Sequence, residues 1–160
     1  YADTLLEDIE LNDVGYLMSL TGNSDINSYA INKFRKQFGE HGAYRLISKR
    51  EMDHVDDIPK EGLFSASDDF INLTEVARRY PSINEIAIQT EDDYHKIAGI
   101  MENDQNMVPL FVKEKDGSIH IVSSFVQDLE ADSFADCQLV YLGKPLETTV
   151  IAEEAVSLDQ

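Results

Sequence analysis

The chain has 160 residues, 42% of them apolar, and 13 basic against 31 acidic side chains give it a net charge of −18. That length and apolar content suffice to bury the core of one domain or two small ones, while the acidic surface disfavours nucleic acid and docking on anionic lipid. The single cysteine, Cys137, has no internal partner, as suits a reducing compartment, and no apolar run approaches the ~18 residues of a bilayer span.

Residues 2–11 carry Leu5, Leu6 and Ile9 at helical spacing. The continuous apolar run VGYLMSL, residues 14–20, predicts a strand buried on both faces. Asn23 or Ser24 is placed to cap a helix in which Ile26, Ala30, Phe34 and Phe38 recur every fourth residue, with Gly39 or Gly42 as its stop. A second strand, AYRLIS at 43–48, follows directly. Residues 1–48 thus have the α-β-α-β rhythm of a parallel sheet covered by helices. From Lys49 to Glu61 the pattern gives way to charge, which predicts a linker or a short frayed helix between two units.

The second unit opens with GLFSA at 62–66, a short strand. Asn72 and Glu75 stand at capping-box spacing ahead of the helix LTEVARRY, which Pro81 closes. INEIAIQ, residues 83–89, alternates as a half-buried strand does, and Thr90 can cap EDDYHKIAGIM, whose acids sit in the first turn. In MVPLFVKEKDGSIHIVSSF, residues 107–125, Asp116-Gly117 is the signal of a type I′ turn. Such a turn sets Lys113 opposite His120 and Phe111 opposite Val122, leaving Leu110, Val112, Ile119 and Ile121 as an apolar face for the helices. CQLVYLG at 137–143 reads as a final strand that buries Cys137 as a structural thiol, and residues 148–160 as a loosely held tail.

No phosphate-binding glycine loop, nucleophile elbow, zinc-protease motif or cysteine pair occurs. His41, His54, His95 and His120 are isolated in sequence and read as surface or turn histidines, against the competing reading of a zinc site built from histidine and scattered carboxylates. In a helix the adjacent Asp92 and Asp93 point roughly 100° apart, poor geometry for two carboxylates acting on one bond. The cluster DHVDD at 53–57 lacks the glycine-centred spacing of a calcium loop. The expectation is therefore no metal site and no enzyme.

What remains is TGNSDIN, residues 21–27. A polar turn at the carboxyl end of a parallel strand, opening a helix, is where open α/β sheets bind ligands. The competing reading is that Asn23, Ser24 and Asp25 only cap the helix.

Several pieces together resemble a known family: Tyr1-Ala2-Asp3, Leu20-Thr21-Gly22-Asn23 with Asn27, Phe34 to Gly39, and Ala43-Tyr44-Arg45-Leu46. The run is similar to the second half of the RCK-type, Rossmann-like cytosolic domain at the C-terminus of certain bacterial sodium:proton antiporters. The later segments LFSA, MVPLFVKEKDGSIHIVSS and DCQLVYLGKP resemble strands of the small domain that follows it. The resemblance implies an α/β fold: a partial Rossmann-like parallel βα unit at 1–52, a linker at 53–61, a small α+β domain with a β-hairpin at 62–147, and the tail at 148–160. It implies a fragment whose phosphate-binding glycine loop precedes Tyr1. No cofactor is then expected in the fragment itself, although a nucleotide such as NAD is expected in the full-length chain. Thr21, Gly22 and Asn23 carry over as pocket lining.

The implied function is regulatory: the module senses a ligand or conformational state and modulates transport at the cytoplasmic face of the bacterial inner membrane. Its expected partners are the membrane transport domain of the same chain and a second copy, the latter also favoured by an open sheet edge. The alternative is a free-standing α/β protein or enzyme acting on a small metabolite.

Overall fold

The computed structural model of the chain describes residues 15–38, 42–53, 59–64, 68–123, 134 and 136–146. The expected helix at 2–11, the stop at Gly39, the last residues of GLFSA and the tail at 148–160 lie outside these. The fold is mixed α/β, with a parallel two-stranded sheet and an antiparallel four-stranded sheet flanked by helices.

The first unit is β1 (Leu17–Ser19), α1 (Ser24–Phe38) and β2 (Ala43–Arg45), with Leu17, Met18 and Ser19 paired in parallel to Ala43, Tyr44 and Arg45. A short helix α2 (Lys49–Met52) follows. Two expectations change here. β1 is not buried on both faces: Tyr16, Met18 and Leu20 are exposed, and only Ser19 on the strand is buried. On α1 the buried positions are Asn27 and Ile31, whereas Ile26 is 54% exposed. The inward stripe begins on a polar residue, and Asn27 is held there by hydrogen bonds that a count of apolar residues cannot register.

The second unit contains α3 (Phe70–Arg79), β3 (Ile83–Ile88), α4 (Glu91–Asn103), β4 (Met107–Lys113), β5 (Ile119–Ile121) and β6 (Cys137–Gly143), with strand order β3-β6-β4-β5. α3 starts earlier than the Asn72–Glu75 spacing predicts. Asp69 is its N-cap, accepting from the Asn72 N–H at 2.9 Å, and the Asn72 amide donates instead to Asp68. Asp69 accepts that bond at the favoured three-residue spacing and leaves Asn72 no capping role. Thr90 caps α4 as expected, in a reciprocal pair with Asp93.

Successive side chains alternate across the antiparallel sheet, and a core forms on each of its faces. One contains Ile88, Val112, Val122, Cys137, Leu139 and Tyr141, covered by Ile97 and Met101 of α4. Beside it Tyr94 packs on Phe134, and burial pushes its hydroxyl up to about 12. The other contains Val108 with Val76 of α3, and reaches across to Leu46, Leu63 and Phe64.

The hairpin corrects the expected register by one residue: Phe111 pairs with Ile121, Val112 with His120 and Lys113 with Ile119. Of the two central positions of the supposed type I′ turn, only Gly117 has positive φ, at 92°. The bonds Gly117 N–H to Glu114 C=O and Glu114 N–H to Ser118 C=O instead close a three-residue loop with glycine in the left-handed place. Farther back, the β4–β6 register slips between Pro109 and Phe111. Proline has no N–H for a central ladder, so a bulge beside it is the expected accommodation. Val112 accordingly joins the α4 core, while Leu110 and Ile121 pack with the α3 core, and the single apolar face expected of them is divided.

The two sheets are joined by main-chain bonds. Arg45 N–H donates to Glu61 C=O at 2.8 Å, Leu63 N–H to Arg45 C=O at 2.9 Å, and Phe64 N–H to Val122 C=O at 2.9 Å. GLFSA is thus represented by isolated bridges, Gly62 to Arg45 and Phe64 to Ser123, in place of a strand.

Gly143 and Gly117 separate two costs of adding a methyl group. At Gly143, φ is 127° and a Cβ would lie 2.1 Å from Asn106 O, whereas at Gly117, φ is 92° in open space. Gly143→Ala is expected to lower stability by about 3 kcal/mol or more and Gly117→Ala by about 1 kcal/mol, as urea unfolding would measure.

Candidate functional site

Ser19 and Arg45 are paired at the carboxyl ends of β1 and β2, so both side chains project toward α1. The turn that follows β1 closes on Asn27. Its Oδ1 accepts from the Ser19 hydroxyl at 3.0 Å, the Thr21 N–H at 3.1 Å and the Thr21 hydroxyl at 2.6 Å, and its Nδ2 donates to Thr21 C=O at 2.8 Å. Asn23 is the helix cap: its Oδ1 accepts from Asp25 N–H at 2.9 Å and Ile26 N–H at 3.1 Å. Gly22 stands against the ring of Phe70, where a Cβ would approach Cδ1 to 2.9 Å. The turn is therefore packed on α3.

Thr21, Gly22 and Asn23 do come together at the strand tip, and all are exposed. Their polar groups nonetheless serve the turn itself. A ligand at this tip meets groups already bonded to one another.

Arg45, beside it, carries a largely buried side chain, 7% exposed. Its Nη1 donates to Glu51 Oε1 at 2.8 Å and its Nε to Glu61 Oε1 at 3.4 Å, while Arg35 of α1 approaches Glu61 at 3.9 Å. Glu51 is also half of a capping box. Ser48 accepts from the Glu51 N–H, and the Ser48 N–H and hydroxyl donate to Glu51 Oε2 at 3.1 and 3.0 Å. Burial alone would raise the Glu51 carboxyl, but hydrogen bonds from Ser48, Arg45 and Ser24 outweigh it and bring the group down to about 2. Ser24 belongs to the first turn of α1, so the network joins both strand tips to three neighbouring segments.

The remaining candidates are dispersed. His95 is exposed and 3.6 Å from Glu91 on its own helix, His120 pairs with Glu114 on the hairpin, and His41 and His54 lie outside the described residues. Cys137 is buried, and burial first, then the charges of Glu114, Asp136 and Asp116, push its thiol up, the opposite of an activated nucleophile. Asp93 is occupied as the Thr90 partner, and of DHVDD only Asp53, the C-cap of α2, is described. Among the described residues no three His, Cys, Asp or Glu side chains gather as a metal site.

The pairing of Arg45 with Glu51 and Glu61 and the hub role of Asn27 are tertiary features with little local signature. One signal was present: Ser48 and Glu51 have the S-x-x-E spacing of a capping box.

Asn27→Leu leaves the Ser19 and Thr21 donors without their acceptor and is expected to cost about 2–3 kcal/mol, against about 1 kcal/mol for Asn23→Ala, by urea unfolding. Because the Glu51 carboxyl is lowered on folding, its contribution is complete above about pH 4.5 and is lost as pH falls toward 2. Glu51→Gln should therefore flatten the acid limb of stability against pH in that window, and an unchanged limb would count against the network. Comparison with protein-family models, curated proteins and solved structures gives no match for this chain.

Proposed function

We propose that the chain is a cytosolic regulatory module of a bacterial membrane sodium:proton antiporter, which senses a ligand or conformational state, modulates transport and performs no catalysis. The observation that carries the reading is the junction at Arg45. Its side chain ties the tip of β2 to Glu51 of α2 and to Glu61, and its main chain bonds the segment that continues to the antiparallel sheet. A change at the strand tip thus has a short, hydrogen-bonded route to the sheet, an arrangement suited to relaying position. The likeness of Leu20 to Asn27 and of Ala43 to Leu46 to the antiporter family supports the same reading. The inert setting of Cys137 and the dispersal of the described histidines favour a relay over chemistry.

In this reading the partners are the transport domain of the same polypeptide, at the cytoplasmic face of the inner membrane, and a second copy of the module. A nucleotide such as NAD is sensed by the full-length chain, with Thr21, Gly22 and Asn23 among the residues that line its pocket.

The reading frame upstream of Tyr1 is then expected to encode about ten or more apolar runs of ~18 residues. In everted vesicles, removing residues 1–160 from that transporter should change the cation concentration for half-maximal exchange by about fivefold or more while exchange persists. A frame without such runs, or a truncated transporter indistinguishable from the intact one, overturns the proposal.

A further inference from the structure

Two described non-glycine residues have left-handed backbone, Asp136 with φ 64° and Phe64 with φ 63°. Aspartate adopts this region with some frequency; a bulky aromatic does so only when its surroundings hold it there. Two things hold Phe64. Its ring is buried among Leu46, Leu63, Val76 and Val108, and its N–H donates to Val122 C=O at 2.9 Å. The neighbouring Ser123 hydroxyl donates to Gly62 C=O at 2.6 Å in the same buried seam.

The position of the strain is informative. Segment 61–64 bonds to β2 on one side, through Arg45, and to residues 122–123 on the other. The antiparallel ladder between β4 and β6 has six paired positions, whereas the seam has one bridge on each side. A further polar contact across it, the Tyr16 hydroxyl on Ile119 C=O, is exposed to water. The molecule's one buried aromatic with left-handed backbone, among the described residues, therefore sits on a thinly bonded seam.

We propose that Phe64 is a strained latch between the βα unit and the antiparallel sheet. In the latched arrangement, the one seen, burial of the ring keeps the backbone left-handed. In the unlatched arrangement Phe64 relaxes to extended backbone, its ring leaves the cluster, and the Phe64–Val122 and Ser123–Gly62 bonds break together. The bonds of Glu61 and Leu63 to Arg45 lie on the far side of the seam and persist. The latch follows from the backbone and its packing, and it stands or falls independently of the transport reading.

Native-state hydrogen exchange on the full chain tests it. The Phe64 amide is expected to exchange about tenfold or more faster than the β6 amides of the β4 ladder, with little dependence on denaturant, as a local opening does. Exchange of Phe64 with the rate and denaturant dependence of β6 would show that the seam opens only by global unfolding, and would overturn the latch. A pair of variants tests the strain separately. Phe64→Ala and Phe64→Gly both remove the ring, but only glycine relieves the backbone, so the amide at position 64 should be about tenfold better protected in Phe64→Gly. Glycine ordinarily weakens such a position relative to alanine; that ordinary order here would overturn the proposal. Should either variant fail to fold, the unaltered chain still decides.

Discussion

The outer edge of β2 has main-chain groups that must find partners away from water, and this requirement organises the described molecule. A two-stranded parallel sheet leaves one side of each strand open. The Arg45 N–H and C=O are met by Glu61 and Leu63, so the chain returning from α2 is drawn alongside β2. Having been placed there, it can present Phe64 to Val122 and bring Leu63 and Phe64 into the core that α3 shares with Leu46. The Arg45 side chain acts in the same direction. A buried guanidinium is tolerable only with its acids in place, and those acids come from α2 and from the same returning segment.

This arrangement also shapes the strand tip. In an open α/β sheet the turn after a parallel strand presents main-chain N–H groups outward, available to an anion. Here the Asn27 amide, entering from the second turn of α1, gathers Ser19 and Thr21 inward, and Asn23 closes the helix end. The tip is polar and bonded to itself. Phe70 behind Gly22 fastens it to α3, so the turn and the antiparallel sheet share a neighbour as well as a main-chain seam.

Much of this was legible in the sequence, and the parts that were not have physical reasons. The order of the described helices and strands, GLFSA apart, the Asn23 and Thr90 caps, the close of α3 before Pro81 and the buried thiol follow from local rules that act within a few residues. The face of α1 was misread because its anchor is an asparagine whose burial depends on partners before the helix. The hairpin register was misread because Asp116-Gly117 suits more than one turn, and Pro109 introduces a bulge that shifts alternation upstream. The Arg45 network escaped because its acids lie six and sixteen residues away, at no periodic spacing, and only tertiary structure assembles them.

The bulge beside Pro109 bears on how this sequence can change over time. Leu110 is the unpaired residue between Pro109 opposite Tyr141 and Phe111 opposite Val140. Deleting it would leave the ladder continuous with every other pair unchanged, Pro109 opposite Tyr141, Phe111 opposite Val140 and Val112 opposite Leu139, so Val112 would stay in the α4 core. A descendant chain could thus shed that residue without recasting the hairpin, provided the proline without an N–H is still accommodated beside it. A one-residue insertion in the loop at 115–117 carries the heavier condition, because it would shift the β4–β5 register and exchange the two faces of β5.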